Sequence, residues 1–237
     1  MSTDSTAAGT AGRRWLLAID TGTSRIVVAA GEVDGRLIEA LDWPAGHRHG
    51  ERLLPGLEEL LAVTGLDRAG LAGIVVGTGP GAFTGLRVGL ATAKTLAHAS
   101  GIPIVGVGTG EALAHAAAGT GEAPPATLVL LLPAGPRDRV ELRVGHEPRL
   151  LPGGMEPALG PGDAVVAVDL AGRAPEAAVA RGELALAGLP AAIVRLGAAR
   201  LAAGAAEDPA GLIPEYVSLP RGVRATGGEI EWSHGPR

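Results

Sequence analysis

A short apolar run, Leu16-Leu17-Ala18-Ile19, ends in Asp20-Thr21-Gly22-Thr23-Ser24. These residue types build phosphate sites. Gly22 lets the backbone turn tightly, so the following N–H groups and the Thr23 hydroxyl can face an anion, while Asp20 can hold a metal ion or its water. An ordinary strand-to-hairpin turn has the same composition, so the pattern alone leaves both readings open. A second, longer element is Gly77-Thr78-Gly79-Pro80-Gly81-Ala82-Phe83-Thr84-Gly85-Leu86-Arg87-Val88-Gly89. Glycines before a helix N-terminus can form an anion site. They also serve as a structural turn that lets a strand enter a helix without a clash. No Gly-Lys-Ser/Thr follows, so the element is not a Walker loop.

Other chemistry is thinly represented. The six histidines are His47, His49, His98, His115, His146 and His234. None forms a His-x-x-x-His pair, and His47 and His49, which would share a strand face, have no evident third ligand for zinc. Glu111 and His115 sit at i, i+4 on one helix face, more often a solvated pair than a site. No residue is assigned a catalytic role and no metal set is assigned. Cysteine is absent, which removes disulfides, thiolate catalysis and cysteine metal sites.

The elements that must position these loops follow from pattern. Residues 16–19 read as a buried strand. Runs at 25–33 and 36–43 read as strands joined by a two-residue turn, Asp34-Gly35. Leu53, Leu54, Leu57, Leu60 and Leu61 mark one apolar face of a helix, with Pro55 in its first turn or kinking it and Gly65 ending it. Residues 73–77 form a strand, and Thr84 caps a helix over 85–99 closed by Gly101. A strand at 102–107 precedes a helix from Thr109 to His115. Residues 119–126 are a linker. Beyond it, strands are expected at 127–132, 140–144 and 164–168, a helix near 175–180, a strand at 190–196 and a short helix at 198–206. This alternation predicts an α/β protein with two subdomains, 15–118 and 127–219, between a disordered extension over 1–14 and a disordered tail over 220–237.

The chain of 237 residues can bury a sizeable core, and with aromatics at only 2 % that core must be built from Ala, Val and Leu. Formal net charge is −5 without a basic run, which argues against independent nucleic-acid binding. No apolar run approaches the roughly 18–20 residues that span a bilayer, and the start lacks the apolar stretch of a signal peptide.

Three segments together, Leu17-Ala18-Ile19-Asp20-Thr21, His49-Gly50-Glu51-Arg52-Leu53-Leu54-Pro55 and the Gly77–Gly89 element, resemble the TsaB (YeaZ) family. Gly79, Pro80, Gly81, Phe83, Thr84, Gly85, Arg87 and Gly89 match its most specific motif, and Pro214-Glu215-Tyr216-Val217 resembles a segment near its C-terminus. The resemblance covers roughly 15–115 strongly and 115–210 weakly. It implies the actin/Hsp70/sugar-kinase-like (RNase H-like) α/β fold. It also implies a cytoplasmic, non-catalytic scaffold in the making of threonylcarbamoyladenosine on tRNAs that read ANN codons. Such a chain pairs with the catalytic paralogue TsaD and with the ATPase TsaE. It meets tRNA only through that complex, and it forms a possible homodimer when TsaD is absent. No cofactor is implied for the chain itself; ATP, Mg²⁺ and metal belong to its partners.

The resemblance further implies a TsaD interface on the two helices of the first subdomain, at Leu53, Leu57, Leu60, Leu61, Leu86, Gly89, Leu90, Ala93 and Ala97. The same apolar and small-residue faces would also serve the chain's own core. Asp20, Thr21, Gly22 and Thr23 become a vestigial phosphate loop. An ATPase of this fold needs a second Asp-x-Gly-Gly loop, and the nearest stretch, Val168-Asp169-Leu170-Ala171-Gly172, lacks its glycines. The alternative is an active enzyme of the same fold, an ATPase of sugar-kinase type or a glycoprotease-like metallopeptidase. Two departures stand out. The family's Asp-Ala-Arg-x-x-Glu-Val-Tyr stretch is Pro133-Ala134-Gly135-Pro136-Arg137-Asp138-Arg139-Val140-Glu141-Leu142 here, and the Arg after its C-terminal Tyr-Leu is Ser218.

Overall fold

The computed structural model describes residues 12–46, 49–119, 127–216, 223–226 and 229–232, with the side chains of 49, 50 and 223–232 left aside. Strand β1 (Trp15–Asp20) is buried on both faces, as a continuous apolar run requires of a central strand. It pairs antiparallel with β2 (Arg25–Glu32), which pairs with β3 (Leu37–Pro44), and parallel with β4 (Leu71–Gly79), which pairs with β5 (Ile104–Gly108). The sheet order is therefore β3-β2-β1-β4-β5. Alternation along β1 splits its side chains. Leu17 and Ile19 join a core with α1 (His49–Thr64) and α2 (Phe83–Ser100), while Ala18 joins one with α3 (Thr109–Ala118) and α4 (Glu176–Ala202).

The second sheet has the order β8-β7-β6-β9, from β6 (Thr127–Pro133), β7 (Arg139–Arg143), β8 (Arg149–Leu151) and β9 (Asp163–Ala167). Its β6 is antiparallel to β7 and parallel to β9, repeating the order and directions of β1 to β4. This pair of like sheets around shared helices is the actin/Hsp70/sugar-kinase-like α/β arrangement. Leu130, Leu132, Val166 and Val168 face the α3–α4 layer, and Val129 and Leu131 face a smaller core with Leu151 and Leu170.

The residues 176–202 correct the sequence reading. They form one helix, not a helix, a strand and a short helix, with Pro190 inside it. Helix α4 touches α3, β9 and all five strands of the first sheet. A helix packed on several sides is apolar nearly all round, so its 3.6-residue period fades and the run Leu189–Leu196 mimics a buried strand. Burial outweighs the roughly 3 kcal/mol that proline costs in a helix interior. Close approach to the sheets explains its glycines: a Cβ at Gly182 would overlap the Ala167 carbonyl oxygen, and one at Gly197 the Val75 side chain. By length and composition α4 alone, among the described residues, is long and apolar enough to cross a membrane, which its division into short pieces had concealed. Here it is the layer between the two sheets.

Smaller differences have local causes. Only Gly35 of the 33–36 loop has a positive φ, 92°, and a register shift falls between Ala30 and Gly31, so the hairpin is a bulged four-residue connection. The three-residue β8 falls where the sequence pattern predicts no strand. Helix α1 starts at His49, which puts Pro55 in its second turn. Helix α2 begins after Ala82 with no side-chain cap, so Thr84 does not cap it. Gly65 and Gly101, at φ 65° and 63°, end α1 and α2 as expected. Within 220–237, β10 (Val223–Thr226) and β11 (Glu229–Trp232) pair antiparallel, so part of the expected disordered tail is a hairpin. The extension up to residue 11, linker residues 120–126 and the rest of that tail lie outside the described residues.

Candidate functional site

Asp20 does not face solvent. Its side chain is fully buried, with Oδ1 accepting the Gly22 N–H at 2.9 Å and Oδ2 accepting the Thr109 hydroxyl at 2.7 Å. Thr109, the first residue of α3, also accepts the Gly79 N–H at 3.1 Å and so ties β1, β4 and α3 together. Gly77 backs the carboxylate so closely that a Cβ there would overlap Oδ2. Burial pushes the Asp20 carboxyl up to about 6, against the two hydrogen bonds that favour its charge.

The long glycine element packs directly on this loop. The Gly22 carbonyl accepts the Ala82 N–H at 2.8 Å, and a Cβ at Gly81 would overlap that same carbonyl. Thr21 donates its hydroxyl to the Gly85 carbonyl at 2.7 Å, and Gly89 leaves room for its oxygen. The Thr23 hydroxyl is held by Arg25 N–H and carbonyl at 3.1 and 3.2 Å. The glycine spacing of the element is therefore a packing requirement of the Asp20 loop.

The C-terminal segment completes this wall. The Glu215 N–H donates to the Thr78 carbonyl at 2.7 Å, and Leu212 enters the core. Arg87 lies 3.9 Å from the centroid of the Phe83 ring and donates from Nε to the Tyr216 hydroxyl at 3.0 Å; the two rings are 5.0 Å apart. The chain has one Phe and one Tyr, and this is where both go. Arg87→Ala should lower stability by about 1 kcal/mol, for one charged hydrogen bond and a cation–π contact at an exposed site. The same variant should speed proteolytic cutting within 212–216; equal cutting would place the anchor elsewhere.

A cleft of about 420 Å³ opens between the strand ends of the two sheets, lined by Gly22, Thr23, Ser24, Pro80, Gly81, Leu132, Pro133, Gly135 and Asp169. By topology, the counterpart of the Asp20 loop is the turn after β6, not Val168–Gly172, which follows β9. That turn carries Pro133-Ala134-Gly135-Pro136 where the first carries Asp20-Thr21-Gly22-Thr23, and its Ala134 N–H already serves the Asp138 carbonyl at 3.0 Å. It presents neither a carboxylate nor a hydroxyl to the cleft.

On the other side of Pro80 lies a wider cleft of about 810 Å³ with Glu111, His115, His146, Glu147, Arg200 and Glu215 on its walls. Glu111 is paired with Arg200 at 2.6 Å, and His115 Nε2 lies 3.3 Å from Arg195. Burial and the neighbouring carboxylates of Glu147 and Glu111 raise the Glu215 carboxyl. Among the described residues no three of His, Cys, Asp or Glu are grouped to hold a metal ion.

The nine residues expected at an interface are turned inward. Leu53, Leu57, Leu60, Leu86, Gly89, Leu90, Ala93 and Ala97 are buried in the chain itself, and Leu61 packs against the same core. Ala93 is wholly inaccessible. The surfaces these helices leave open carry instead Leu54 and Val63, each more than half exposed, and Ala91 and Thr95 of α2.

A family model described as "TsaD: tRNA N6-adenosine threonylcarbamoyltransferase" matches residues 44–169. An uncharacterized protein of Mycobacterium leprae is 45 % identical over 96 residues, 39 % of this chain and 26 % of that protein. The tRNA threonylcarbamoyladenosine biosynthesis protein TsaB of Escherichia coli K12 is 34 % identical over 94 residues, 40 % of each chain. The chain thus spans less than half the length of these curated relatives. A solved structure of YeaZ from Pseudomonas aeruginosa is 25 % identical with a TM-score of 0.62, covering 86 % of this chain and 100 % of that one.

Proposed function

The chain belongs to the TsaD-like family, in its TsaB (YeaZ) branch, and from that premise we propose that it serves tRNA threonylcarbamoyladenosine biosynthesis as a non-catalytic subunit. It works in the cytoplasm by pairing with the catalytic paralogue TsaD, with TsaE joining the pair and tRNA reached through the assembly. One observation carries the reading: the Asp20 loop spends its carboxylate and hydroxyls on its own fold, and the matching turn of the second sheet is Pro133-Ala134-Gly135. Phosphoryl chemistry needs both loops to clamp and align the phosphates. A scaffold needs only that the two sheets be held firmly. The net charge of −5 fits a subunit that leaves the phosphate backbone of RNA to its partners.

The partner surface in this reading is the outer side of α1 and α2, because the inward residues have no area to offer. Size exclusion of the chain with its TsaD should give a heterodimer, and no complex would sink the proposal. Leu54→Arg and Ala91→Arg each place a bulky charge at an exposed position and should weaken the complex at least tenfold with an unchanged melting temperature. Ala93→Arg would instead bury a charge and unfold the chain.

A further inference from the structure

We propose that Asp169 is an internal stand-in for a phosphate: it occupies the donor pair of Ser24, ties the ends of the two sheets together and closes the cleft between them to phosphate-bearing ligands. Its Oδ2 accepts the Ser24 N–H at 2.7 Å and its Oδ1 accepts the Ser24 hydroxyl at 2.5 Å. A backbone N–H and a hydroxyl at the end of a glycine turn are the donors that an anionic oxygen takes. Other donors of the loop are committed already, the Gly22 N–H to Asp20 and the Thr21 and Thr23 hydroxyls to backbone carbonyls. Ser24 adds a backbone N–H and a hydroxyl at the cleft, and a carboxylate 145 positions further along the chain fills both.

The backbone shows that this placement is enforced. Asp169 has φ 57°, and among the described residues it is the one non-glycine in the left-handed region. Its neighbours explain why. Val168, whose N–H donates to Leu131 at 3.0 Å, is buried in the core between the sheets, and Leu170 is buried in the core on the far side of the second sheet. With both flanks anchored in different cores, the residue between them is thrust into the cleft. Aspartate is among the few side chains that tolerate this conformation, so residue type, backbone and contact agree.

The contact makes no use of a partner, so it stands or falls apart from the assembly reading. The test is amide hydrogen exchange at Ser24 in the full chain, with inorganic phosphate as the probe. Asp169→Gly removes the carboxylate while suiting the positive φ; Asp169→Asn keeps the shape and drops the charge. In wild type, Ser24 should be protected and indifferent to millimolar phosphate. In Asp169→Gly its exchange should rise about tenfold or more, since a backbone group freed of its partner opens locally. Phosphate should then restore much of the protection, and Asp169→Asn should fall between. Ser24→Ala, which keeps the carboxylate on the amide, should remain indifferent to phosphate and serves if the glycine variant fails to fold. A wild-type response to phosphate, unchanged exchange in a folded Asp169→Gly, or a variant whose freed amide ignores phosphate would each overturn the proposal.

Discussion

Gly81→Ala should destabilise the protein by about 3 kcal/mol, the upper part of the range for inserting a methyl into a packed site. In a chain of this size that lowers the melting temperature by roughly 6–12 °C. The added Cβ would overlap the Gly22 carbonyl and lie 2.7 Å from both its carbonyl carbon and Cα, so backbone meets backbone and no side chain can swing aside. Gly22 cannot retreat. Its N–H is held by Asp20, its carbonyl accepts Ala82, and Thr109 and Leu86 crowd its other side. The loss is steric rather than conformational, since Gly81 does not have a positive φ. Gly108→Ala is the internal control. There a Cβ would meet nothing nearer than 3.4 Å, at φ −58°, and the substitution should be neutral or stabilising by about 0.5 kcal/mol through the unfolded chain. Equal melting of the two variants would show that the glycine element does not lock the Asp20 loop.

How far the sequence could be read depended on whether a residue's role was local. The buried strand at 16–19, the glycine stops at 65 and 101 and the paired loops around Asp20 and Gly81 announce themselves within a few positions. Thr109 did not, because a threonine at a helix start looks like a cap, and its use by Asp20 spans 89 positions. Helix α4 misled for a different reason: apolar contact on several sides erases the periodicity by which a helix is recognised. The leucine face of α1 and the small-residue face of α2 were visible as apolar faces, but period alone does not say whether a partner or the home sheet covers them. Asp169 stands in sequence only within a stretch that lacks the glycines of a phosphate loop. Its meaning needs Ser24, brought beside it only when the second sheet is laid against the first. The order of that second sheet also moves the counterpart of the phosphate loop from 168–172 to 133–136, which no short-range pattern in the chain reveals.

Asp20 supplies the second large effect, as a dependence of stability on pH. Burial raises its folded pKa to about 6 from an ordinary 3.8. The folded protein therefore holds this proton where the unfolded chain has released it. Stability from this group is fully present below the unfolded value and is lost as pH rises through the folded one, between roughly pH 4 and 6. A shift of about two units corresponds to about 3 kcal/mol at most. Asp20→Asn cannot titrate. It keeps an oxygen for the Gly22 N–H and, like the protonated acid, presents a neutral donor group in the same seat, where the Thr109 oxygen has a second lone pair to accept it, so the two proteins should be close in stability at pH 4. Between pH 4 and 6 the difference should move by up to about 3 kcal/mol in the variant's favour, as the wild-type carboxyl is forced to ionise in its buried seat. Other carboxylates, such as Glu141, which despite its burial is held low by Arg143 and Arg149, and Asp163, held low by the Gly160 N–H and Arg143, titrate alike in both proteins and cancel in the difference. Denaturant unfolding of the two proteins at pH 4, 5, 6 and 7 reads this directly. A difference independent of pH would mean that Asp20 keeps an ordinary carboxylate pKa in its buried seat.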